Sequence, residues 1–180
     1  TEIGGTTGDI ESQPFLEAIR QISREIGRHN CMFLHVVLVP YLKCSGEHKT
    51  KPAQHSVREL QGMGIMPDVI IARSDEPLED GIRQKIALFC DVEPECVIEN
   101  QTLGSLYDVP LMLHEADLDG IVCRRFGFDT PEPDLSDWLA MCGRIGASEN
   151  SVTIALVGKY VQLHDAYLSV AEALRHGGYD

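Results

Sequence analysis

Three carboxylates and three glycines fall within the eleven residues Glu2-Ile3-Gly4-Gly5-Thr6-Thr7-Gly8-Asp9-Ile10-Glu11-Ser12. Glycine lets a backbone come close to a ligand or take a positive φ, which a side chain resists. Carboxylates on such a turn suit a hard cation such as Mg²⁺, which commonly takes one or two protein carboxylates and completes its sphere with phosphate and water. No basic residue in the loop neutralises its charge, so a cation is the natural counter-charge. A second polar concentration runs from Ser45 through Lys49-Thr50-Lys51-Pro52-Ala53-Gln54 to Ser56, just before a predicted helix. Ammonium groups beside the free N–H groups of a helix N-terminus form an anion site fit for a triphosphate. Each stretch also has a plainer reading, as a structural turn that opens a helix and as a solvated lysine-rich loop.

The elements around these loops read as alternating helices and strands. Ser12 is a plausible N-cap, and Phe15, Leu16, Ile19, Ile22 and Ile26 recur at helical spacing from Pro14 to about Arg28. Cys31 to Pro40 is a near-continuous apolar run, the sign of a strand covered on both faces. A helix is predicted over Ala53–Met63 with Val57, Leu60 and Met63 inward, a buried strand over Pro67–Arg73, a helix over Glu79–Leu88 and a short strand over Cys96–Glu99. Strands separated by helices give right-handed crossovers and a parallel sheet, whose ligands sit beyond the carboxyl ends of the strands. The polar stretches after Pro40, Ala72 and Ile98 are therefore where a site is expected. Leu106–Leu118 is expected to be helical around a break at Pro110, and Leu118–Phe126 to continue the packing. A further helix opens near Trp138, capped by Asp134 or Ser136, with the tryptophan packing rather than stacking on a base. Val152–Tyr160 reads as a fresh buried strand ending in glycine. Gly158-Lys159 lacks the upstream glycine and the following Ser or Thr of a phosphate loop, and is not one.

Composition narrows the function classes. The 180 residues are 43% hydrophobic and 24% charged, as in an ordinary globular protein. No apolar run approaches the ~20 residues of a membrane span, and the first residues lack the basic and apolar regions of a signal peptide. A net charge of −13 spread along the chain argues against general nucleic-acid or membrane binding. Six cysteines stand singly with no CxxC, which fits reduced, mostly buried thiols in a cytoplasmic protein. Cys44, His48 and His55 match no standard metal spacing.

Two runs carry a family resemblance. E-x-G-G-T-x-G-D-I-E-S-x-P-F-x-E-A-x-R-Q at the start and K-T-K-P-x-Q-H-S-V from Lys49 resemble the CTP synthases, in the second half of their synthetase (amidoligase) domain. The later run V-G-K-Y-V-Q-L-x-D-A-Y-x-S-V-x-E-A-L-x-H-G-G resembles the opening strand and helix of their glutaminase domain. The resemblance implies an α/β fold: a mostly parallel sheet with helices on both faces, of the P-loop NTPase-like synthetase type but truncated, then the first strand and helix of a class I glutamine amidotransferase. It implies domains at 1–133 and 152–180, with a linker helix and loop at 134–151.

The activity it implies is C–N ligation. ATP phosphorylates the uracil 4-oxygen of UTP, ammonia from glutamine attacks C4, and phosphate departs to leave CTP. Carried over residue by residue, Glu2 would bind Mg²⁺. Asp9, Ile10 and Glu11 would take the pyrimidine end of CTP in feedback inhibition, since cytosine offers an amino donor where uracil offers an acceptor. Lys49, Thr50, Lys51, Pro52, Ala53 and Gln54, completed by Lys85, would hold UTP or CTP. Gln101, Thr102 and Leu103 would hold the adenine of ATP, largely through backbone groups, and Arg73-Ser74-Asp75 would lie close to the phosphates or serve a structural ion pair. GTP would be an allosteric activator of the full enzyme, which the resemblance implies is a homotetramer. The family's phosphate loop and glutaminase machinery are absent from the sequence, and no cysteine sits in a nucleophile elbow. No catalytic residue is therefore assigned, and the 180 residues alone are expected not to make CTP. The alternatives are a glutaminase-free ATP-dependent synthetase of the same fold, which would need no second domain, and a non-catalytic module that binds pyrimidine nucleotide or full-length subunits.

Overall fold

Apolar stretches at three places in the chain meet as one parallel sheet. In the computed structural model, which describes residues 1–179, the strands of the first unit are β1 (Leu34–Leu38), β2 (Tyr41–Leu42), β3 (Glu47–His48), β4 (Val69–Ser74) and β5 (Val97–Gln101). Its helices are α1 (Gln13–Ile26), α2 (Lys51–Gly62), α3 (Asp80–Cys90), α4 (Val109–Glu115) and α5 (Leu118–Phe126). The sheet order is β1-β4-β5, with Val36 opposite Ile71 and Ile71 opposite Ile98. Alternate side chains of β4 leave on opposite faces. Ile70 and Ala72 join Val37 and Val39 against Val57 of α2 and Ile86 and Cys90 of α3. Val69 and Ile71 join Ile98 against Ile121 of α5 and Leu113 of α4. Helices thus lie on both faces of a parallel sheet, as the α/β reading requires. Both crossover helices, α2 and α3, share one face because successive right-handed crossovers step the same way along the sheet.

An ionic cluster fastens the amino ends of the strands. Asp68 accepts from the Phe33 N–H at 2.7 Å and pairs with Arg28 at 3.0 Å and Arg125 at 3.3 Å. Arg125 of α5 also donates to the carbonyls of Arg28 and Cys31. The opposite, carboxyl ends of the strands are left for the loops.

Several expectations change. The strand β1 is not covered on both faces: it is the sheet's edge, and Val36 is 58% exposed because α4 and α5 cover β4 and β5 on that side. Likewise α1 forms as its periodicity predicts, yet Phe15, Ile22 and Ile26 are exposed. Ser12 does not cap α1 by accepting an N–H; it is buried in a helical conformation and its hydroxyl donates to the Asp9 carbonyl at 2.9 Å. Pro110 does not break a helix but occupies the first turn of α4, where its missing N–H has no partner to lose. The loop after Pro40 contains a short antiparallel hairpin, β2–β3, that no periodicity marked. No disulfide joins any of the six cysteines, but only Cys90 is buried, and Cys44 is exposed.

From Pro131 on, the chain forms a second compact unit. It holds α6 (Ser136–Gly146) and α7 (Leu168–Gly177), joined by chain without regular structure and a 3₁₀ turn. Neither Asp134 nor Ser136 is the N-cap of α6: Leu135 holds that position without a side-chain capping bond, and Asp134, one residue earlier, accepts from the Ser136 N–H at 3.0 Å. Trp138, expected to pack, lies at the surface of α6. Val152–Gly158 is not a buried strand. It pairs with no described strand, and Val152 and Val157 are exposed, since a strand needs a partner ladder to satisfy its backbone.

Candidate functional site

Three segments converge where the parallel strands end. After β1, the chain turns through the β2–β3 hairpin into Lys49, whose N–H donates to the Pro40 carbonyl at 2.9 Å. The hairpin is fastened to the end of β4 by His48. This side chain is buried, lies tilted against the Tyr41 ring and approaches Ser74 Oγ at 3.1 Å and the Glu76 carbonyl at 3.2 Å through Nε2. Ser74 Oγ itself donates to the Glu76 carbonyl, so Nε2 must carry the hydrogen that serves both oxygens. The end of β5 joins from the other side. The Thr102 N–H donates to the Ser74 carbonyl at 3.0 Å, and its hydroxyl donates to Asp75 at 2.9 Å. The expected R-S-D, Q-T-L and lysine segments therefore share one hydrogen-bonded rim.

The lysines keep their side chains at the surface. Lys49 Nζ reaches Glu47 Oε1 at 2.5 Å, and both are about half exposed. The hydrogen bond and charge of Lys49 hold the Glu47 carboxyl below its usual range, and the charge of Lys85 acts in the same direction. Lys85 of α3 is exposed, and of these two lysines only Lys49 forms an ion pair with Glu47. Lys51 and Pro52 lie exposed in the first turn of α2. Thr50, Ala53 and Gln54 turn inward, and Gln54 Nε2 donates to Thr50 Oγ1 at 3.0 Å. Their side chains therefore shape the turn, leaving Lys49 and Lys51 as its outward charges. Arg73 is exposed at the end of β4, Gln101 and Leu103 are half-buried, and Arg83 pairs weakly with Glu99 at 3.5 Å beneath the start of α3.

The glycine-rich loop closes on itself before α1. Asp9 Oδ2 accepts from the Thr6 N–H at 2.8 Å, and the Asp9 N–H donates to the Thr6 carbonyl at 3.0 Å. Gly5 has φ +93°, which favours glycine, and a methyl group there would also crowd Asp9 Oδ2 at 3.1 Å. One Asp9 oxygen is thereby committed to the turn. Ile10 is exposed, and Glu2, Gly4, Glu11, Ser12 and Phe15 line a shallow concavity of about 480 Å³. Two carboxylates on one hollow, with few competing donors, are chemically compatible with Mg²⁺, which needs only one or two such ligands beside phosphate oxygens. Among the described residues no three His, Cys, Asp or Glu side chains gather as a metal cage.

Sequence reasoning gives no role at this rim to two of the residues that form it, His48 and Glu47. In the sequence His48 stands out only beside Cys44 and His55, at a spacing that fits no metal site. No spacing announces it, because its partners lie on a different strand and loop. Glu47, two residues before Lys49, carried the one legible hint, an acid beside a base.

A three-stranded parallel sheet with helices on both faces, and with a hydrogen-bonded rim of loops at the carboxyl ends of its strands, defines the class: an α/β protein of the kind whose ligands sit beyond those strand ends. Comparison with known proteins narrows this. Residues 1–128 match the family model described as CTP synthase N-terminus. The chain is 58% identical to a CTP synthase of Ruminiclostridium cellulolyticum over 178 residues, 60% to one of Symbiobacterium thermophilum over 178, and 59% to one of Pelotomaculum thermopropionicum over 179. Those alignments cover 98–99% of this chain and 33% of each relative, so the chain spans about a third of their length. The chain belongs to the CTP synthase family. The match assigns residues 1–128 to the N-terminal part of that family, and this coarser placement replaces the expected second half of the synthetase domain. Among the described residues no helix is long and apolar enough to cross a membrane.

Proposed function

We propose that this chain is the nucleotide-binding part of a cytoplasmic enzyme that aminates UTP to CTP, using ATP and ammonia released from glutamine. The observation that carries the reading is the hydrogen-bonded rim itself: the hairpin before Lys49, the end of β4 and Thr102 are tied to one another through His48, Ser74 and Asp75. Lys49, Lys51 and Lys85 would hold the triphosphate of UTP or CTP, with Thr50 and Gln54 fixing the turn that presents them. The chain around Gln101, Thr102 and Leu103 would take the adenine of ATP through backbone groups. Glu2 would hold Mg²⁺, which when bound neutralises phosphate charge. Glu11, with Asp9 and Ile10, would meet the cytosine ring of CTP as inhibitor. Residues 152–179 would open a glutaminase domain, and the whole enzyme would assemble as a homotetramer activated by GTP. Family membership favours this reading over a glutaminase-free synthetase or a non-catalytic module.

The test uses the full-length enzyme. Losing a charged contact to phosphate costs about 1.5–3 kcal/mol, roughly ten- to a hundredfold in affinity. Lys49→Ala and Lys85→Ala should weaken UTP and CTP together by that factor. Unchanged UTP saturation with a lowered melting temperature would make these lysines structural and end the nucleotide reading.

A further inference from the structure

The glycine-rich loop is attached to the body of the fold by a chain of side-chain contacts that lies apart from the rim at the strand ends. Thr7 Oγ1 lies 3.3 Å from Ser56 Oγ on α2, and Ser56 Oγ lies 2.9 Å from His35 Nε2 on β1. All three side chains are half-buried. A serine hydroxyl has one hydrogen and two lone pairs, so it can serve both neighbours at once. Next to Thr7, Gly8 has φ +101°, and a methyl group there would sit 3.4 Å from Glu59 of the same helix. The loop therefore rests directly on α2, one turn beyond the Lys49–Gln54 segment that begins it.

We propose that Ser56 is a positioning residue for product inhibition: seated on His35, it holds Thr7 and thereby fixes the loop that presents Glu11 to the cytosine of CTP. The inference rests on the reading of that loop as the product-base site. A segment with glycines at positions 4, 5 and 8 has many accessible conformations. Ordering it when a ligand binds subtracts from affinity, and a tether that orders it beforehand restores that affinity. Only a ligand whose base is read by this loop gains from the tether. The loss should therefore fall on CTP more than on UTP, although both share the lysines. Because α2 carries the phosphate-side segment at one end and Ser56 further along, it also sets the distance between the two halves of the inhibitor's site.

The experiment measures, in the full-length enzyme, the ratio of the CTP inhibition constant to the UTP half-saturation concentration. Removing one hydrogen bond in Ser56→Ala should raise that ratio about three- to tenfold. Thr7→Val, which keeps the shape and the His35–Ser56 contact, should raise it similarly. The double variant should be no worse than either single one, because both remove the same link. Ser56→Thr, which retains a hydroxyl, should restore the ratio. Glu11→Ala serves as the reference. If Glu11→Ala raises the ratio while Thr7→Val and Ser56→Ala leave it unchanged, or weaken both nucleotides in parallel, the tether is overturned and the product-loop reading survives. If Glu11→Ala itself leaves the ratio unchanged, that reading falls and takes this inference with it. Should Ser56→Ala fail to fold, Thr7→Val alone decides.

Discussion

Single residues in this fold differ most in how their surroundings treat ionisation. Burial lowers the pKa of His35 from its ordinary 6.5, since the charged imidazolium would lose its water. A histidine whose folded pKa lies below its unfolded value adds stability that is complete above about pH 6.5 and is lost as pH falls through the folded value. Thermal unfolding of the protein should therefore shift to lower temperature between pH 7.5 and 5.5, with a shallower shift in His35→Gln. Equal pH slopes for the two proteins would mean that His35 is not responsible. The thiols give a second contrast. Burial pushes Cys90 up to about 11, so it stays protonated at pH 8, while Cys44 is exposed. Maleimide at pH 8, followed by peptide mass spectrometry, should label Cys44 first and Cys90 last. Early labelling of Cys90 would show that α3 opens readily. Neither contrast was legible in the sequence, which showed six single cysteines and could not say which of them a helix would cover.

Elements are held by the two sides of β4. Ile86 of α3 is fully buried against Ile70 and Val57, in the layer that both crossover helices share. Cutting it back in Ile86→Ala should cost about 2–5 kcal/mol, through lost transfer energy and the cavity left behind. Urea unfolding would measure it, and a loss under 1 kcal/mol would mean that the α3 layer is loosely packed. At this scale much was legible. The spacing of Val57 and Leu60 announced the inner face of α2, and the β-branched runs announced β1, β4 and β5. Periodicity reports which residues share a face, however, and not whether a neighbour arrives to cover it. That is why α1 formed as predicted with Phe15 and Ile22 exposed, and why Val152–Gly158, as apolar as any strand, has no ladder. The β2–β3 hairpin escaped because two-residue strands are too short to show any period.

The whole molecule divides between Thr130 and Pro131, and residues 127–134 are exposed chain without regular structure. Exposed segments of this kind are the preferred sites of nicking. Brief proteinase K digestion of the protein should therefore cut there before it cuts within β4 or α3. First cleavage inside the sheet would contradict the two-unit organisation. Taken by itself, the sequence determined the residue types, the acidic balance, the α/β alternation of its first part, and the runs that mark a CTP synthase relative. Those properties are local: they follow from side-chain chemistry, from turn residues and from the periods of helix and strand. Tertiary structure alone decided that His48 would lock the hairpin onto Ser74 and that Thr102 would bridge to Asp75. It alone tied Thr7 through Ser56 to His35. Each of these contacts joins different elements across the fold, and only the packing of strands and helices brings such residues within reach.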